Sequence, residues 1–190
     1  ATLPKNILSD FIEAAHEIAR RHLVECSSGN LSCRIDEHHI LIKSSRSWLE
    51  RLSPNDVSLC RLSDGHVLDG PKPSVEIGFH AGIMKIRETA KVVLHFQSPS
   101  ATVLCCRTDL DSINFFVTPE VPYYIGPLGW VPFHLPGSPE LAKAVTEAAQ
   151  NHALILLQNH GQVTFGESFE ETIQRAVFFE MTARIVLQAG

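Results

Sequence analysis

Lys91-Val92-Val93-Leu94-His95-Phe96-Gln97, set against Ala153-Leu154-Ile155-Leu156-Leu157-Gln158-Asn159-His160-Gly161 far downstream, decides the reading of this chain. Each stretch is a short apolar run that leads into a histidine. Runs of that length bounded by polar residues and glycine read as buried strands. Side chains alternate along a strand, so His95 and Gln97 share one face. Two histidines at the mouths of two buried strands are placed to meet, and imidazole nitrogen is a ligand for first-row divalent ions. A third donor could come from Gln97, Glu76 or His134. The plainer alternative is that each histidine caps its strand by hydrogen bonding, with no metal.

Outward from these strands, the elements follow in order. Leu8, Phe11, Ile12, Ala15, Ile18, Ala19 and Leu23 keep helical spacing, with Pro4 near the start. The polar stretch Cys26-Ser27-Ser28-Gly29-Asn30 ends that helix. Leu31–Ile35 and His39–Lys43 read as strands turned by Asp36-Glu37. Asp64-Gly65 marks a hairpin between Val57–Leu62 and His66–Leu68. Ser74 is the expected N-cap of a helix from Val75 to about Glu88, with Ile77, Ala81 and Met84 as its buried stripe. A short helix is expected over Ser100–Cys106. Two strands are expected near Ile113–Val117 and Tyr123–Ile125. Ser138-Pro139-Glu140 opens a helix, the last strand precedes His160, and Ser168-Phe169-Glu170-Glu171 is a capping box for the final helix. Regular strand–helix–strand alternation is missing, which argues against a doubly wound dinucleotide fold. Strands in the middle flanked by helices predict one α/β layered domain over residues 1–190, with a mostly antiparallel or mixed sheet.

Composition narrows the function classes. The chain has 190 residues, 44% hydrophobic and 19% charged, a globular balance large enough for one sizeable core. A net charge of −5 without runs of Lys or Arg argues against duplex nucleic acid as a partner. There is no apolar stretch of membrane-spanning length and no signal-peptide pattern, so no membrane partner and a cytoplasmic location are expected. Five cysteines with no Cys-x-x-Cys pair point to reduced thiols. Cys105 and Cys106 are expected to be packing residues.

Other residues have chemistry of their own. Glu76 lies in the first turn of its expected helix, where a carboxylate also suits the helix dipole. His80, one turn on, could bond it, but reads as a satisfied core histidine. Ser28-Gly29-Asn30, Ser44-Ser45 and Ser74 suit an anion through backbone amides and hydroxyls, although each alone is an ordinary turn. Arg46 could add charge toward a phosphate or carboxylate, or be a solvated loop arginine.

Taken in order, these motifs resemble the class II aldolase/adducin family. Ser28-Gly29-Asn30-Leu31-Ser32-Cys33-Arg34 is similar to its Gly-Asn-hydrophobic-Ser-x-Arg signature. Pro73-Ser74-Val75-Glu76 is similar to its Ser-Ser-Glu loop. Leu94-His95-Phe96-Gln97-Ser98-Pro99-Ser100-Ala101-Thr102 is similar to its His-x-His-Ser-x-x-Ala-Thr segment, and Gln158-Asn159-His160-Gly161 to its Asn-His-Gly motif. Each motif is weak alone; four in order over nearly the whole chain are specific.

The resemblance implies a three-layer α/β/α sandwich that assembles into a cyclic homotetramer with active sites between subunits. It implies His95 and His160, with Gln97, as ligands of a divalent metal, Zn²⁺ foremost, and Glu76 as the catalytic acid/base. Gly29, Asn30, Ser45 and Ser74 become binding residues for a small-molecule sugar phosphate. The implied reaction is aldol cleavage of a ketose 1-phosphate such as L-fuculose 1-phosphate, giving dihydroxyacetone phosphate and an aldehyde such as lactaldehyde. An epimerase, dehydratase or decarboxylase on the same scaffold is the alternative, as is a non-catalytic oligomerisation module like the adducin head. Tyr123 and Tyr124, the only tyrosines, are the candidates for a proton donor. Three departures fall on the site. Gln97 stands where the family has its second histidine. Val75 replaces a serine. Ser44-Ser45-Arg46-Ser47 replaces a Thr-Pro-x-Gly-type turn and loses the glycine that allows close backbone approach.

Overall fold

The computed structural model describes residues 5–189, so the expected role of Pro4 lies outside the described residues. Five helices, α1 (Lys5–Arg20), α2 (Ile77–Ile86), α3 (Pro99–Cys105), α4 (Pro139–Ala148) and α5 (Phe169–Ala189), surround one sheet. Its strands are β1 (Asn30–Arg34), β2 (His39–Lys43), β3 (Val57–Arg61), β4 (Val67–Asp69), β5 (Val92–Phe96), β6 (Gly129–Val131), β7 (Leu154–Leu157) and β8 (Gly161–Gly166). They lie side by side in the order β4-β3-β2-β1-β5-β8-β7-β6. Every neighbouring pair is antiparallel except β6 and β7.

Strand alternation splits the core in two. On one face, Leu31, Leu41, Leu94, Phe96, Leu154 and Leu156 pack under α1, α3 and α5, around Phe11, Leu104 and Phe179. On the other, Ile40, Ile42, Val93, Ile155, Val163 and Phe165 pack under α2 and α4, around Phe79, Met84, Leu141 and Val145. The result is the expected three-layer α/β/α arrangement. Central β5 is buried along its whole length, as its unbroken apolar run requires.

The structure corrects the expected elements in five places. Residues 113–117 form no strand. Ile113 and Phe115 pack against the core from a loop, and the Asn114 side chain accepts the Phe116 N–H at 2.9 Å, a local bond that competes with a sheet ladder. Val121–Ile125 is a helical turn instead of a strand, with proline in its first turn and Gly126 closing it at φ +78. The last strand does not precede His160: β8 follows it, alternating apolar Val163 and Phe165 with Gln162 and Thr164. Short β6 lies between Pro127 and Pro132, too brief to leave a periodic signal. Helix α2 starts at Ile77 instead of Val75; the Ser74 hydroxyl accepts the Glu76 N–H at 3.3 Å, in the loop before the helix.

Candidate active site and metal centre

The site forms at one end of the sheet centre, where β1, β5 and the β7–β8 turn meet the start of α2. Antiparallel register sets Asn30 directly across from His95. His160 lies in the tight turn between β7 and β8, which Asn159 closes with φ +51. Gly161 is needed next to it: a Cβ there would lie 2.6 Å from the Phe96 carbonyl oxygen and 3.1 Å from the His95 ring. The Ser74 loop sets Glu76 beneath both histidines.

Glu76 Oε1 lies 3.2 Å from His160 Nε2, and Oε2 lies 3.5 Å from His95 Nε2. Oε2 accepts a hydrogen bond from Asn30 Nδ2 at 2.8 Å. Oε1 is buried and has no hydrogen bond of its own, so its contact with His160 is electrostatic. His95 Nδ1 is 2.9 Å from the Gln162 carbonyl. In the neutral ring that acceptor fixes the hydrogen on Nδ1, so the Nε2 lone pair is free for a cation held between the imidazole and Glu76. Burial is the largest influence on the Glu76 carboxyl and favours its neutral form. The pull of His95 and the contacts with His160 and Asn30 outweigh it, holding the group below the usual carboxylate range. Burial pushes His95 below an ordinary imidazole, against the opposing pull of Glu76.

Glu76, His95 and His160 offer ligand atoms that all lie within 4.8 Å of one another. Two imidazole nitrogens and an unpartnered buried carboxylate oxygen are the donor set of a first-row divalent ion. An ion there would relieve the cost of leaving that oxygen unsatisfied. The residues present therefore fit a metal. His134 is not part of this group.

Gln97 lines the same cleft, and its Nε2 donates to the His160 carbonyl at 2.8 Å. That leaves Oε1 as the atom it can offer. The cleft has a volume of about 740 Å³ and brings together Gly29, Asn30, Ser45, Ser74, Glu76, His95, Gln97 and His160. Gly29 is constrained on two counts: its φ is +69, and a Cβ would lie 2.7 Å from the His95 carbonyl oxygen.

Sequence reasoning missed Lys43, Lys72 and Gln162. Lys43 and Lys72 join Arg46 in lining the cleft. Lys43 is buried, and its Nζ donates to the carbonyls of Ser27 and Gly29 at 2.9 and 2.8 Å. Burial pulls its pKa down to about 8, opposed by Glu76, so it stays largely charged at neutral pH. A lysine closing the apolar run of β2 was a visible signal. Tyr123 and Tyr124 lie on the Val121–Ile125 turn, exposed, with the Tyr124 ring tilted against that of Phe178; neither lines the cleft. All five cysteines are free thiols, and burial pushes Cys105 up to about 11, as suits a packing residue.

The chain belongs to the class II aldolase and adducin family: residues 9–187 match its Class II Aldolase and Adducin N-terminal domain. It is 31% identical to 3-oxo-tetronate 4-phosphate decarboxylase of Escherichia coli K12, over 100% of this chain and 90% of that protein. It is 30% identical to L-fuculose phosphate aldolase of Methanococcus maripaludis C5, over 94% of each. Among solved structures, YgbL of Escherichia coli, an aldolase/epimerase/decarboxylase candidate, superposes with a TM-score of 0.91 at 31% identity, covering 97% of this chain and 90% of that one. No helix among the described residues is long and apolar enough to cross a membrane.

Proposed function

We propose that this chain is a divalent-metal-dependent decarboxylase of a 3-oxo sugar-acid phosphate. The observation that carries the reading is the cleft's charge: Lys43, Arg46 and Lys72 line one cavity above the His–His–Glu centre. A 3-oxo-tetronate 4-phosphate carries a carboxylate at one end and a phosphate at the other, and both need cationic partners. A ketose 1-phosphate carries only the phosphate. The relatives of matching name support the same choice.

In this reading the C1–C2 bond of the substrate breaks and carbon dioxide leaves. The electron pair enters an enediolate over C2 and C3, and a proton then arrives at C2 to give dihydroxyacetone phosphate. His95 and His160, with Glu76 or Gln97, would hold the ion, taken to be Zn²⁺. When bound, it supplies Lewis acidity for the negative charge that builds on the substrate oxygen. Gly29, Asn30, Ser45 and Ser74 bind the phosphate, with Arg46 and Lys72 at the rim. Lys43 fixes the loop that carries Gly29. Glu76 carries the proton exchanged at C2. Its ionised form is a base, so the partial reaction it performs directly is removal of a C–H proton from dihydroxyacetone phosphate, the reverse of the last step. One domain over residues 1–190 assembles as a homotetramer; exposed Phe116, Tyr123, Trp130, Phe133 and Leu135 supply apolar surface for that assembly.

The second reading is aldol cleavage of L-fuculose 1-phosphate, which the likeness to the archaeal aldolase favours. Both reactions release dihydroxyacetone phosphate, so the co-product decides between them. The test offers each substrate to the Zn²⁺-loaded protein and measures dihydroxyacetone phosphate with carbon dioxide and with aldehyde. Carbon dioxide at a stoichiometry of about one supports decarboxylation. Lactaldehyde from the fuculose phosphate, without carbon dioxide from the oxo acid, replaces it with the aldolase. No turnover and no bound metal would leave an adducin-like binding module.

A further inference from the structure

Behind Glu76 a buried line of polar side chains runs through Asn30 to two residues that none of this chemistry has used, His80 and Ser32. Asn30 Nδ2 donates to Glu76 Oε2 at 2.8 Å. Asn30 Oδ1 faces His80 Nε2, and His80 Nδ1 faces the Ser32 hydroxyl at 2.6 Å. Ser32 and His80 are fully buried; Asn30 and Glu76 are nearly so. Ser32 and Asn30 are two residues apart on β1 and so share a face. His80 lies one turn beyond Glu76 on α2, its ring stacked on Phe79, which in turn meets the edge of His95. Neither Ser32 nor His80 lines the cleft.

The direction of every bond follows from the ionised carboxylate. An acceptor facing Glu76 Oε2 would repel it, so Asn30 must present its NH₂ there and its oxygen to His80. His80 Nε2 must then carry the hydrogen, and Nδ1 becomes an acceptor for the Ser32 hydroxyl. Burial keeps the imidazole neutral, at a pKa of about 3, which that pattern requires. A residue needed only for packing at this inner face of α2 would be apolar, like its neighbours Phe79 and Ile83. An imidazole with both nitrogens engaged satisfies itself, and it also forbids the Asn30 amide from flipping.

We propose that His80, anchored by Ser32, is a positioning residue for Glu76: it locks the Asn30 amide in the one orientation that holds the carboxylate toward His95 and His160. The inference rests on the reading of Glu76 and the two histidines as a metal and proton-transfer site.

Two isosteric variants separate this role from packing. In His80→Gln the amide nitrogen takes the place of Nε2 and keeps the donor to Asn30. In His80→Asn the amide sits near Nδ1 and loses that donor. Zn²⁺ affinity is measured by competition with a chelator, with thermal midpoints and kcat and KM alongside. The expected result is a loss of about 10- to 100-fold in Zn²⁺ affinity for His80→Asn, the scale of lost outer support at metal sites. His80→Gln stays within about threefold of the parent, although both variants lose similar thermal stability. In His80→Asn, kcat falls while KM moves less than about twofold, because an interaction that orients Glu76 acts on the chemical step. Equal Zn²⁺ affinities in the two variants, or affinities that follow the thermal midpoints, overturn the proposal. If the parent binds Zn²⁺ and the split holds but no oxo-acid phosphate is decarboxylated, the proposed reaction fails and the positioning role stands. A parent that binds no Zn²⁺ removes both.

Discussion

His80 should make the fold acid-sensitive by an amount that can be worked out. Burial lowers its pKa from the ordinary imidazole value of about 6.5 to about 3. The unfolded chain therefore takes up the proton first as pH falls, and between those two values it binds more protons than the folded chain. Stability then rises with pH through that window, is lost as pH falls through it, and is level above it. At pH 5 the unfolded imidazole is favoured by about 2 kcal/mol over the folded one, against about 0.2 kcal/mol at pH 7. His95, also lowered by burial, acts in the same direction. Glu76, lowered as a carboxylate, keeps its stabilising effect above the unfolded value of about 4.3 and adds no slope between pH 5 and 7. Urea unfolding of the chelated protein at pH 7 and pH 5, for the parent and His80→Gln, isolates the His80 share. With an m-value of about 2 kcal/mol/M, the parent midpoint should drop about 1 M further than that of the variant. Equal drops in the two proteins would refute the argument that a neutral, buried His80 is held there at the expense of acid stability.

Three further outcomes follow from single contacts. Gly29→Ala forces a Cβ to within 2.4 Å of Val24 and 2.7 Å of the His95 carbonyl at φ +69; urea unfolding should show a loss of about 1–3 kcal/mol, and steady-state kinetics a lower kcat from the displaced His95 strand. Glu180→Ala removes the buried carboxylate from α5 that accepts the Ser100 and Ala101 N–H groups at 3.0 and 2.9 Å; the uncapped start of α3 should cost about 1–2 kcal/mol in the same assay. Gln97→His replaces an amide oxygen with an imidazole; chelator competition should show Zn²⁺ bound at least about tenfold tighter, and an unchanged affinity would place Gln97 outside the metal's ligands.

Most of this fold was legible because its signals are local. Ser138 and Ser168 cap α4 and α5 through the bonds their motifs predict, Leu141 N–H to Ser138 at 3.1 Å and Glu171 N–H to Ser168 at 3.1 Å. The Asp64-Gly65 turn joins β3 to β4, with Gly65 at φ +73. The misread segments are those where tertiary contacts overrule composition. The apolar run 113–117 looks like a strand, yet prolines at 119 and 122 and the Asn114 side chain give its backbone other partners. Strand β8 was missed although Val163 and Phe165 alternate, because Gln162 and Thr164 do not read as buried. They are buried because their bonds are satisfied: Gln162 by Thr102, Cys105 and Ser98, and Thr164 by the Ala153 carbonyl. Sequence supplied the site residues one motif at a time. It held no signal for the partners that orient them, because Gln162 behind His95 and His80 behind Asn30 meet their targets only through sheet register and helix packing.

That division has a consequence for what the scaffold can catalyse. Decarboxylation of a 3-oxo acid and retro-aldol cleavage of a ketose phosphate pass through the same kind of enediolate, so one His–His–Glu centre serves either. The difference between the reactions lies in the group that is lost: a carboxylate anion that departs as carbon dioxide in one, and a neutral carbinol that departs as an aldehyde in the other. In this chain the centre sits where the central strands and α2 meet, and bonds from Gln162 and Asn30 hold it. The cationic residues that line the cleft around it, Lys43, Arg46 and Lys72, sit at a strand end and on loops. Loops tolerate substitution better than a packed, fully bonded sheet centre. Reaction choice can therefore shift by exchanging rim charges while the enediolate machinery stays fixed. The turn Ser44-Ser45-Arg46-Ser47, one of the three departures from the motifs the chain otherwise resembles, brings Arg46 into the cleft, next to Lys43 at the end of β2.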